Sequence, residues 1–231
     1  MSILSSKKIL WIVLTALTVI CFLVSAIFKD KAGKGSDRVI SWASRIKLMK
    51  QIPFEDLSIP IQMKDKSGLR YRIFKPPLNL LEIPHEPSDW QKDPLGAFLR
   101  SCYALYCDPN PTYDKYGECF LEGRKRIDDV LQKIPQFLND EKGYFASIRS
   151  NIVEMHLLGE VICGEVHMFV YATVSANHEI GCWGATIVPK DGKFYDDPKI
   201  KLKYAALHYL SAHKYREITK HFPEYQPKKD E

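Results

Sequence analysis

Cys163, Glu165 and His167 occupy alternate positions of the run Val161–Ser175, so an extended chain there carries a thiol, a carboxylate and an imidazole on one side. Such a row supplies what general acid–base catalysis or metal ligation requires, and it makes Glu165 and His167 the candidate acid–base pair. The solvent-facing side of a half-buried sheet carries the same kinds of residue. Glu154 and His156, just upstream, add titratable groups without adding a pattern. No Gly-x-Ser-x-Gly elbow, His-Glu-x-x-His pair or glycine-rich phosphate loop occurs. Cys102, Cys107, Cys119, Cys163 and Cys182 form no C-x-x-C pair, and Asp128-Asp129 and Asp196-Asp197 are adjacent carboxylates that point apart. Tyr103 and Tyr106, three apart on a helix, suit either a pocket wall or core packing. No metal and no cofactor is expected.

The elements that would position these groups follow from periodicity. Leu57 to Met63 and Leu69 to Ile73 alternate around Asp65-Lys66-Ser67-Gly68, which predicts a hairpin. Four prolines between Pro76 and Pro87 predict irregular chain. Asp93-Pro94 opens a helix whose stripe is Leu95, Phe98, Leu99, Cys102, Leu105 and Tyr106, closed by Asp108-Pro109. A second helix is predicted from about Glu118 to the neighbourhood of Pro135. From Tyr144 the period becomes that of strands, with turns near Gly159-Glu160, Asn177-His178 and Lys190 to Lys193. Pro198 to about Phe222 reads as an amphipathic C-terminal helix. The expected fold class is α+β, a curved antiparallel sheet packed against helices, preceded by one transmembrane helix.

That transmembrane expectation rests on Ile9 to Phe28, twenty uncharged residues in which only Thr15, Thr18 and Ser25 are polar. As a helix they would span about 30 Å, a bilayer's hydrocarbon core. A cleaved secretory signal is the alternative, with Val24-Ser25-Ala26 as its cleavage site, although the apolar run exceeds a usual signal core. Lys29 to Ser36 is a polar linker, and Val39, Trp42, Ala43, Ile46 and Met49 recur at helical spacing. This neck helix suits either the bilayer surface, through Lys7, Lys8, Arg38, Trp42, Arg45 and Lys47, or docking on the core. The expected organisation is thus an anchor over 1–28, a basic neck over 29–50 and one globular domain over 51–231. The short N-terminal tail favours export of that domain, and the basic flank after the span favours the cytoplasm; export is the expectation adopted.

The net charge of +5 is unevenly placed. Residues 1–28 carry +2, residues 29–50 carry +5 and residues 51–231 carry −2. A folded domain without net positive charge argues against a nucleic-acid partner. The expected partners are the lipid bilayer and either another protein or a second copy of the chain.

The order helix, loop, helix and long strands, ending in Gly184-Ala185-Thr186-Ile187-Val188-Pro189-Lys190-Asp191-Gly192-Lys193-Phe194-Tyr195, resembles the cone-shaped α+β domain of the nuclear-transport-factor-two-like superfamily. The resemblance covers residues 90–196. It implies helices packed into a concave antiparallel sheet, with the hairpin at 57–75 and the helix at 198–222 as additions. Among membrane-tethered members, it implies an assembly role similar to the cone-domain component of type IV secretion systems, and it transfers no residue. The functional expectation is a single-pass membrane-anchored interaction or assembly module without catalysis. The alternative is a membrane-tethered enzyme or small-ligand-binding domain with a pocket in the curved sheet.

Overall fold

The computed structural model describes residues 41–56, 69–199 and 216–225. The chain divides into two compact units, Met1–Ser41 and Trp42–Glu231. Only Ser41 of the first is described. The second consists of α1 (Trp42–Gln51), β1 (Glu55–Asp56), β2 (Leu69–Asn79), α2 (Pro94–Cys102), α3 (Tyr113–Gly117), α4 (Arg124–Leu131), α5 (Glu141–Ser150), β3 (Ile152–Cys163), β4 (Val166–Ser175), β5 (Ile180–Lys190), β6 (Lys193–Asp196) and α6 (Arg216–Thr219), with their connections.

The six strands form one antiparallel sheet in sequence order, so every pair is made by strands that are consecutive in the chain. The α+β character and the antiparallel sheet are as expected. The single-pass membrane architecture and the membrane location, exported domain included, are not. Among the described residues no helix is long and apolar enough to cross a membrane. The longest described helices, α1 and α5, have ten residues, about 15 Å, half a hydrocarbon core. The segment Ile9–Phe28, with Lys7, Lys8 and Arg38, lies outside the described residues.

Both faces of the sheet are covered. On one, Phe74, Leu78, Leu157, Phe169 and Ile187 meet Leu95, Phe98, Leu99 and Cys102 of α2 and Met49 of α1. On the other, Leu158, Val161, Met168, Val170 and Val188 meet Ile218 and Phe222. A third cluster, with Tyr113, Phe120, Ile127, Leu131 and Phe145, holds the helical layer to itself. The sheet ends at β6, whose last residue, Asp196, is bonded on its outer side by the chain at Cys119–Leu121. Asp196 donates its N–H to Cys119 at 2.9 Å and accepts from Leu121 at 3.0 Å.

Helix α2 starts where Asp93-Pro94 predicts. The Asp93 carboxylate accepts from the Gly96 N–H at 2.9 Å, and its other oxygen holds Lys50 of α1 at 2.7 Å. One side chain thus caps α2 and ties α1 to it. Asp93→Ala is expected to lower stability by about 1 kcal/mol, measured by urea unfolding, with Asp93→Ser recovering most of the loss.

Four sequence expectations shift. The strand β2 runs on through Pro76-Pro77 to Asn79, next to a register shift that accommodates the missing donors. Gly159-Glu160 lies inside β3, and the chain turns instead at Gly164-Glu165, where Gly164 has φ 59°. The helix expected from Glu118 starts only at Arg124, as α4, with Phe120 in the turn that separates it from α3. Helix α5 replaces the start of the expected strand region, capped by Asp140, which accepts from Gly143 at 2.9 Å. Of the expected hairpin at 57–75, the first strand falls outside the described residues beyond β1. Of the expected helix at 198–222, the described residues show α6.

Candidate functional site

The hairpin turn at Gly164-Glu165 separates the predicted acid–base pair. Glu165 sits exposed in the turn, and Cys163 joins the core on the far face of the sheet. His167 lies on the face covered by α2, and its Nδ1 is 2.6 Å from Oε1 of Glu160 on β3. Glu160 is only 1% exposed. A carboxylate that deep must be paired, and Arg72 of β2 meets it through Nε at 2.6 Å and through its terminal nitrogen. Arg72 also donates to the carbonyls of Met49 and Lys50 at 3.0 and 3.2 Å, closing the C-terminal end of α1. Its guanidinium lies over the Phe54 ring at 4.5 Å.

The sequence does not foretell this Arg72–Glu160–His167 network. Its signal is a charged residue inside the apolar run Leu157 to Cys163, which has the look of a turn. Glu160 orients His167 as a catalytic carboxylate would orient an imidazole, but neither residue lines the groove beside α1 or the cavity at β5. The network binds α1 to the sheet.

The thiols offer no nucleophile in the helical layer. Burial pushes Cys102 well up, raises Cys107, and lifts Cys119 to about 12, so all three stay protonated at neutral pH. No disulfide joins any two of the five described cysteines. Among the described residues no three His, Cys, Asp or Glu side chains converge as a metal site requires.

The larger concavity is a groove of about 510 Å³ between α1 and the chain from Pro84 to Asp93. Trp42, Ala43, Ile46 and Lys47 of α1 form one wall; Pro84 and Pro87, from the stretch expected to be irregular, form the other. Trp90 and Leu99 form its floor, both buried. Gly96 allows α2 to sit this close: a Cβ there would lie 2.2 Å from the Trp90 carbonyl oxygen. Around the rim, Lys50 is paired with Asp93 at 2.7 Å and Lys92 with Asp89 at 3.9 Å. Lys47 has no ion pair among the described residues, and His85 lies opposite.

The predicted neck residues from Trp42 on are therefore part of this domain's surface. Trp42 and Ile46 pack against the main core cluster, Arg45 reaches Glu82 at 4.0 Å, and Lys47 stands at the groove's edge. No family model matches the sequence, and neither the curated proteins nor the solved structures give a match.

Proposed function

We propose that the domain is a protein-interaction module whose groove beside α1 receives an extended segment of a protein partner, apolar at its centre and acidic at its flank. The observation that carries this reading is the groove: two tryptophans and two prolines bound a half-open apolar channel of the size that seats a few side chains. Aromatic walls give such a segment large contact area at low entropic cost. The acidic rim residues are already paired with lysines, so the charge left over is that of Lys47, and it favours an acidic neighbour on the partner.

The test uses the full chain and labelled hexapeptides with a Leu-Pro centre flanked by glutamates, measured by fluorescence anisotropy. Saturable binding that weakens as salt rises is expected. Ala43→Trp fills the groove from an exposed helix position and should cut affinity at least tenfold with the thermal midpoint unchanged. If no such peptide binds, or if Ala43→Trp binds as well as the parent, the groove is not the docking site.

A further inference from the structure

A second cavity, of about 350 Å³, lies between the helical layer and the strand β5, and it shares no lining residue with the groove. Tyr116 of α3, Arg126 of α4 and Tyr144 of α5 approach it from the helices, and Trp183 of β5 closes it from the sheet. Three of its polar groups make no hydrogen bond or ion pair among the described residues: the phenol oxygens of Tyr116 and Tyr144 and the Arg126 guanidinium, which feels the charge of Glu122 from a distance. None of these atoms is sealed from solvent, so water reaches them, and an acceptor on a ligand would take the place of that water. All three are donors.

Their protonation is secure. Burial, and then the nearby Tyr144, hold the Tyr116 phenol well above the ordinary tyrosine range, and burial raises Tyr144 as well. Both remain O–H donors at physiological pH. Trp183 has its indole N–H committed to Thr173 Oγ1 at 2.8 Å, so what it offers the cavity is its ring. Phe120 offers a second ring, held edge-on to Tyr116 with centroids 4.9 Å apart. The lining also contains one carboxylate, Asp196, which is engaged in an interaction of its own. Its presence disfavours a ligand with two negative charges.

We infer that this cavity binds a small aromatic compound bearing one carboxylate. The planar guanidinium of Arg126 matches a carboxylate through two parallel hydrogen bonds, and the phenols of Tyr116 and Tyr144 supply further donors to the same oxygens. The ring lies among Trp183 and Phe120, where aromatic contacts add to apolar burial. A neutral ring compound would leave the guanidinium unpaired, and an aliphatic acid would leave the aromatic walls unused. The inference is independent of the groove and of its partner.

The experiment is saturation-transfer NMR on the full chain with benzoate, benzamide and gluconate, with tryptophan emission as a second readout. Benzoate is expected to bind saturably and to perturb Trp183 emission, with benzamide and gluconate at least tenfold weaker. Arg126→Gln should lose tenfold or more for benzoate and leave benzamide unchanged. Trp183→Leu should weaken benzoate by a smaller factor. Both positions are at least partly exposed, and unchanged thermal midpoints will show that the variants fold. Absence of benzoate binding, benzamide or gluconate binding as tight as benzoate, or indifference to Arg126→Gln would each overturn the assignment.

Discussion

Glu160→Ala is expected to destabilise the domain by about 3–5 kcal/mol, because it leaves the Arg72 guanidinium buried without its counter-charge. Arg72 is 8% exposed and Glu160 1% exposed, so water cannot replace the lost partner without opening the sheet. The guanidinium would still reach the Met49 and Lys50 carbonyls, which satisfies some of its hydrogen bonds but none of its charge. Chemical denaturation of the full chain measures the loss. The double replacement of Arg72 by methionine and Glu160 by leucine is expected to be more stable than either single variant, since two apolar side chains of similar volume avoid the desolvation of both ions. A Glu160→Ala loss below about 1 kcal/mol would mean that the pair is solvated, as surface pairs are, and that its burial does not persist in solution.

The second large effect is expected at Phe98→Ala, about 3–5 kcal/mol by the same measurement. Phe98 is 1% exposed and stacks on Phe169 of β4 with centroids 4.8 Å apart and planes 15° from parallel, with Tyr171 at 5.7 Å. Its removal takes away the ring that joins α2 to the centre of the sheet, and the cavity left behind is walled by strands that cannot collapse into it. Phe98→Leu keeps most of the volume and should cost less than half as much. Because Gly96 and Leu99 on the same helix line the groove, the alanine variant should also weaken peptide binding there. Equal losses for alanine and leucine would indicate that α2 contributes area alone, without the stacked fit.

How much of this is legible in the sequence depends on whether the signal is local. Asp93-Pro94 marks a helix start by its own chemistry, and Asn177-His178 and Asp191-Gly192 mark turns that lie between strands in the structure. His178 and Asp191 adopt positive φ there, as turn residues do. Gly159-Glu160 carries the same local look and is not a turn, because Glu160 is held by Arg72 from 88 residues away. That partnership is tertiary and overrides the dipeptide. Strand alternation alone likewise sets Glu165 beside His167, whereas the real neighbour of His167 comes from the adjacent strand. The charged row is visible; the fold supplies the pairing. The long apolar segment near the N-terminus reads in the sequence as a membrane span, an expectation that no described helix supports. Neither cavity can be foreseen residue by residue, since each draws its walls from elements far apart in the chain. The basic and tryptophan-bearing face of α1 is plain in the sequence, but the groove it forms with Pro84 and Pro87 is not.

The bonding of Asp196, at the end of β6, to Cys119–Leu121 limits how the sheet of this domain can be extended. An open strand edge offers a row of free backbone donors and acceptors to any chain with a matching stretch, almost regardless of side chains, and so invites promiscuous growth of the sheet. Here the last residue of that row, Asp196, already has both backbone groups bonded to the domain's own loop. A strand added at that end of β6 would have to displace Cys119–Leu121 first, so association there is left to contacts whose selectivity is written in side chains and can be changed one residue at a time.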